Sequence, residues 1–143
     1  MNPEAVRAPS RYLVAVVDDD AAVRKALVRA LRAAGLEACA YPSGQALLNA
    51  WPTVLPDCVL LDLLLPGLTG LDVQRRLQAA GSDPPVIIIT ACEDPQMRLR
   101  CIEAGAAGFL RKPLDRVALI DVIEYAVQRR RIMASHEPRH GHG

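Results

Sequence analysis

Aromatic side chains are scarce in this sequence: one Phe, one Trp and three Tyr make up 3% of 143 residues. A buried core must therefore be assembled from Val, Leu, Ile and Ala. Long apolar runs are missing as well. None approaches the roughly 20 residues needed to cross a bilayer, so no membrane insertion is expected. The N-terminus, MNPEAVRAPSRY, lacks the apolar stretch and small-residue cleavage site of a secretory signal. Cys39, Cys58, Cys92 and Cys101 show neither CxxC spacing nor nearby His partners, so they read as free thiols in a reducing cytoplasm. A redox role stays open only for Cys92, which falls in a loop beside the site described below. Neither a GxxxxGK[ST] loop nor a GxGxxG fingerprint is present, which removes the common nucleotide-binding classes. A dominant charge is also absent. The net charge is +1, and residues 11–128 hold twelve Lys or Arg against fourteen Asp or Glu, or −2. The positive excess comes from the ends, chiefly Arg129, Arg130 and Arg131, which suit a solvated helix C-terminus. A folded body without a basic surplus argues against direct nucleic-acid binding.

What is present fits one compact domain, since 51% of the residues are hydrophobic. Residues 1–10 read as a flexible leader, 11–131 as the folded unit and 132–143 as a flexible tail, in which His136, His140 and His142 carry no structural signal. Tyr12-Leu-Val-Ala-Val-Val17 is an apolar run of strand length, and unbroken runs of this kind suit strands buried on both faces of a parallel sheet. Val23, Leu27, Ala30, Leu31 and Ala34 then recur at helical spacing, and Gly35 is placed to end that helix. The unit repeats. Strands are expected at 36–41, at Asp57-Cys-Val-Leu-Leu61, at Val86-Ile-Ile-Ile89 and at 107–111. Helices are expected from Ser43 to about Trp51, over 71–80, from about Pro95 to Ala104, and from Leu114 to about Arg131. Five strand–helix units imply an α/β, doubly wound parallel sheet with helices on both faces. Ligands of such sheets sit outside the carboxyl ends of the strands.

Those ends carry Asp18, Asp19 and Asp20 after strand 1, Asp62 after strand 3, Thr90 after strand 4 and Lys112-Pro113 after strand 5. Clustered carboxylates repel one another and, without a cation, some would hold protons. Mg²⁺ suits such a set of hard oxygen donors. A carboxylate beside a dication, an ammonium and a hydroxyl is equipped for phosphoryl transfer, with the carboxylate as nucleophile. Asp20 is expected to cap the first helix.

Val17-Asp-Asp-Asp20, Leu61-Asp-Leu-Leu-Leu-Pro-Gly67, Ile89-Thr-Ala91 and Phe109-Leu-Arg-Lys-Pro113 resemble, in order and spacing, the motifs of bacterial response-regulator receiver domains of two-component systems. The likeness spans about residues 11–130, and Val23-Arg24 with Leu27 resembles the nitrogen-fixation-type regulators. It implies a flavodoxin-like fold with strand order 2-1-3-4-5. It also implies that Asp62 accepts phosphate from a histidine kinase or a phosphotransfer protein. Asp19 and Asp62 would hold Mg²⁺ directly, Asp18 through water, with the backbone carbonyl of Leu64 completing the set. Lys112, Thr90 and the chain at Leu64 and Ala91 would bind the phosphoryl oxygens. The Lys112–Pro113 bond would be cis. Thr90 and Phe109 would act as the switch pair, reshaping the face of helix 4, strand 5 and helix 5 toward a downstream partner or a second phosphorylated copy. Phe109 stands where the family often has Tyr, so a hydroxyl contact is lost. Leu64 and Cys92 occupy positions that tune phosphoryl lifetime, and apolar Leu64 cannot orient water, so a long-lived phosphoryl group is expected.

Two rivals are weighed. A haloacid-dehalogenase-like phosphatase also uses a strand-end Asp and Mg²⁺, but needs a second Asp two residues on as general acid, and Leu64 stands there. The chain is therefore expected to be a switch rather than an enzyme in the usual sense. The other rival is the receiver part of a longer DNA-binding regulator. The residues after Arg131 are too few for a helix-turn-helix, so a chain that ended there would act by protein contact.

Overall fold

A computed structural model describes residues 12–51, 53–81, 84–91 and 94–136. Five strands, β1 (Leu13–Val17), β2 (Glu37–Tyr41), β3 (Cys58–Asp62), β4 (Val86–Thr90) and β5 (Gly108–Arg111), alternate with five helices. The helices are α1 (Ala21–Ala33), α2 (Gly44–Ala50), α3 (Gly70–Ala79), α4 (Pro95–Glu103) and α5 (Arg116–His136). All pairings are parallel, in the order β2-β1-β3-β4-β5, as expected.

The unbroken apolar runs of β1, β3 and β4 are explained by burial on both faces. Val14, Val16, Leu60, Ile87 and Ile89 point to a layer with Leu27 and Leu31 of α1 and Leu119 and Ile123 of α5. Ala15, Val17, Val59, Leu61 and Ile88 point the other way, to Leu47 of α2, Val73 and Leu77 of α3 and Cys101 of α4. Each fully buried Leu or Ile contributes about 1.5–3 kcal/mol relative to exposure. Side chains alternate across a strand, so consecutive residues serve opposite cores.

Helix starts follow local chemistry. Asp20 accepts from the N–H groups of Ala22 and Val23, Ser43 from Ala46, and Thr69 and Asp72 form a reciprocal capping box. Gly35, at φ +87°, ends α1 in the left-handed conformation that glycine adopts without a Cβ clash. α5 starts two residues after the expected Leu114, because Asp115 accepts from the N–H of Ala118 and so caps it. It continues to His136, five residues past the expected end at 131. No Gly or Pro interrupts it before Pro138, and Arg129–Arg131 suit the negative end of the helix. The first part of the expected tail is thus helical. The remainder and the expected leader lie outside the described residues. Arg131 is more than a solvated residue: its guanidinium lies 4.9 Å from the centroid of the Tyr12 ring and 3.8 Å from Asp57.

Candidate functional site

The register brings the chemistry-bearing residues to one rim. Val17 pairs with Leu61, Asp62 with Ile89, and Thr90 with Arg111. The residue after β1, the last of β3, the last of β4 and the residue after β5 therefore surround one point. Asp62 ends the middle strand and is 6% exposed; Asp18 and Thr90 are fully buried. Lys112 Nζ donates to Asp18 Oδ2 at 2.8 Å and to Asp62 Oδ2 at 3.1 Å. The other oxygens take backbone donors: Asp20 N–H on Asp18 Oδ1 at 2.9 Å, and Leu64 N–H on Asp62 Oδ1 at 3.0 Å. The Lys112–Pro113 peptide is cis.

Burial is the largest influence on Asp62 and pushes its carboxyl above the ordinary range, with the Asp18 charge acting the same way. The Leu64 N–H and Lys112 oppose that shift without cancelling it. For Lys112, burial alone would lower the pKa, but its bonds to Asp18 and Asp62 outweigh burial and leave the ammonium above its usual value. Each partner thus favours the other's charged form.

Asp18, Asp19 and Asp62 can each offer an oxygen within 4.8 Å of the others. Among the described residues one ammonium, that of Lys112, faces these three carboxylates, so two negative charges remain for a dication to neutralise. Asp19 is exposed and makes no hydrogen bond with a described residue, whereas both Asp18 oxygens already have donors. The donor set therefore fits Mg²⁺, with Asp19 the least committed ligand.

Thr90 lies at the end of β4, its carbonyl accepting from the Lys112 N–H at 2.9 Å. Leu64 is 58% exposed two residues after Asp62, and Ala91 is exposed next to Thr90. Phe109 is half-buried on the α4 side of the sheet, and the Arg98 guanidinium lies 5.1 Å from its ring centroid. Cys92 lies outside the described residues. Among the described thiols, burial pushes Cys58 up to about 12 and raises Cys39 and Cys101 as well, which leaves little reactive thiolate.

Four further residues, given no site role in the sequence reading, support this rim and its neighbouring helices. Arg24 Nη1 donates to the Asp18 carbonyl at 2.8 Å. Its place six residues after a strand-end Asp, one turn into a helix, was the available signal. Gly70 stands just before the helix expected over 71–80. A Cβ there would stand 2.8 Å from the Asp62 carbonyl oxygen and 2.9 Å from Leu63 Cα, so glycine lets α3 begin against the end of β3. Gln74 and Gln78 of α3 donate to the carbonyls of Cys101 and Ala104 at the end of α4, at 3.3 and 2.6 Å. Nothing in the local pattern marks those two.

The arrangement joins a doubly wound sheet to an acidic rim with a lysine, and comparison with known proteins gives it a family. The response regulator receiver domain model matches residues 14–124. The chain belongs to the response-regulator receiver-domain family. It is 36% identical over 124 residues to nodulation protein W of Bradyrhizobium diazoefficiens, covering 87% of this chain and 55% of that protein. It is 34% identical over 121 residues to the transcriptional regulatory protein FixJ of Azorhizobium caulinodans, covering 85% and 57%. These relatives support the nitrogen-fixation-type subfamily. The chain spans about half the length of the curated relatives it matches. Among solved structures, a receiver protein from Burkholderia phymatum is 44% identical with TM-score 0.72, covering 82% of this chain and 96% of that one. The FixJ-N crystal structure is 32% identical with TM-score 0.77, covering 82% and 94%.

Proposed function

We propose that this chain is a phosphorylation-dependent switch in which Asp62 accepts a phosphoryl group from a histidine kinase or phosphotransfer protein. The observation that carries this reading is the convergence on Asp62: a buried carboxylate on the middle strand, 3.1 Å from Lys112, with Asp18 and Asp19 alongside. An Asp62 oxygen attacks phosphorus, and the bond to the donor imidazole nitrogen breaks. The departing imidazole keeps the electron pair and takes a proton from solvent. Lys112 neutralises a phosphoryl oxygen, while the Leu64 and Ala91 N–H groups and the Thr90 hydroxyl donate to the others. Asp19, Asp62 and the Leu64 carbonyl would hold Mg²⁺, with Asp18 acting indirectly, and the ion would supply the remaining positive charge. Thr90 and Phe109 then bias a pre-existing equilibrium of the α4–β5–α5 face, which controls a downstream protein or a second phosphorylated copy. The chain acts in the cytoplasm as a signalling protein that takes part in its own phosphorylation and dephosphorylation.

Intact mass after incubation with acetyl phosphate and Mg²⁺ tests this. Wild type gains one phosphoryl group and Asp62→Asn gains none. An equal adduct on the variant, or none on wild type, sinks the proposal.

The half-length coverage of relatives described as transcriptional regulatory proteins favours a second reading of the output, in which this chain is the receiver part of a longer DNA-binding regulator. An immunoblot of the native protein separates the two. A band at the mass of 143 residues supports output by protein contact, and a markedly larger one supports the longer regulator.

A further inference from the structure

α1 carries Arg24, Lys25, Arg29 and Arg32 and no acidic residue, although residues 11–128 as a whole are net −2. Helical geometry puts Arg24, Val28 and Arg32 on one ridge and Lys25 and Arg29 on the next. With Ala40 of β2, these residues line a groove of about 430 Å³ between α1 and the free edge of the sheet. Val28 and Ala40 make part of its lining apolar. Two of the arginines are anchored to backbone: Arg24 on the Asp18 carbonyl at 2.8 Å and Arg32 on the Ala38 carbonyl at 3.4 Å. Arg32 thereby covers an acceptor on the edge strand, which discourages strand addition and leaves recognition to side chains. Lys25 and Arg29 are exposed and have no ion-pair partner among the described residues.

The length of the cationic row and its acidic ends select the occupant. From Arg24 to Arg32 the helix rises about 12 Å, the span of about four extended residues. Asp19 and Asp20 precede α1 at one end, and Glu37 opens β2 at the other. A long polyanion would meet these carboxylates, whereas a short segment fits between them. The geometry points to a docking groove between α1 and the β2 edge for a short acidic segment of a partner protein, with two or more Asp or Glu side chains engaging Lys25 and Arg29. Its occupant would sit one hydrogen bond from the carboxylate rim, through Arg24, yet its binding requires no phosphorylation.

Fluorescence anisotropy of a labelled peptide of alternating Glu and Ala, titrated with the full chain at low ionic strength, tests this. Saturable binding is expected, weakened about tenfold by Lys25→Glu with Arg29→Glu and less by the Gln pair at the same positions. Arg75→Glu with Arg76→Glu, on exposed positions of α3, is expected to leave binding unchanged, and a Gln–Ala peptide should not bind. Absence of saturable binding overturns the groove, as does equal loss in the α3 pair. Tighter binding of a short single-stranded oligodeoxynucleotide through Lys25 and Arg29 also overturns it, in favour of nucleic acid.

Discussion

Asp62 is held in a surrounding that opposes its charge, and this has a measurable cost. Its folded-state pKa lies above the ordinary carboxylate value, mainly through burial. The folded state therefore binds the Asp62 proton more tightly than the unfolded state does. This residue's contribution to stability is present in acid and is lost as pH rises through the raised pKa. Asp62→Asn keeps the shape and removes the charge. At neutral pH the variant is expected to melt a few degrees higher, a gain on the order of 1 kcal/mol. The difference should vanish below the ordinary carboxylate pKa; thermal melts across the acid range check it, and a variant less stable at neutral pH contradicts it. Leu64, 58% exposed two residues after Asp62, carries the second prediction. Replacing this apolar side chain with Asn, which can orient a water, should shorten the phosphoryl lifetime severalfold. Loss of label from purified phosphorylated protein measures this, and label lost from wild type within seconds refutes the long-lived state. Asp18, Asp62, Thr90 and Lys112 were legible as strand-end residues because each ends or follows an apolar run. The Arg24 contact with the Asp18 carbonyl was marked only by spacing, because a bond to backbone does not depend on the residue type it reaches.

At the scale of elements, the seam between β3 and α3 sets backbone against backbone. Thr69 and Asp72 cap α3 reciprocally, and Gly70 N–H donates to the Leu63 carbonyl at 3.0 Å. A methyl group at Gly70 would meet backbone atoms, which cannot rotate away. Gly70→Ala is therefore expected to destabilise by about 1–3 kcal/mol, as overpacking does, and to slow labelling by acetyl phosphate because the Asp62 backbone shifts. Denaturant melts and labelling rates check both, and a variant that labels at the wild-type rate would show that the seam does not position Asp62. The elements themselves were largely readable, since Pro, Gly and capping residues punctuate the chain. The end of α5 was not. Its arginines suit a terminus, yet Arg131 turns back onto Tyr12 and Asp57, a tertiary contact no local pattern reveals.

For the molecule as a whole, strand order and the two-sided core follow from apolar runs too uniform for a solvent-facing sheet, which is why the fold was accessible from sequence. The carboxylate rim links that fold to ion concentration. A dication bound only by the folded state stabilises the entire domain. At about ten times its dissociation constant, Mg²⁺ should contribute about 1.4 kcal/mol, or a few degrees of melting temperature. Asp18→Asn should blunt the response, and a melting point insensitive to Mg²⁺ would contradict the donor set. The two glutamines of α3 have a mechanical consequence. α4 sinks only Cys101 fully into the core, and Gln74 and Gln78 hold its trailing end at Cys101 and Ala104. A tilt of α4 would therefore pivot near its C-terminus. The nine residues of the helix give an arm of about 13 Å, so a tilt of about 10° sweeps the Asp94 end through roughly 2 Å. Arg98, nearer the pivot, travels a little over half as far above Phe109.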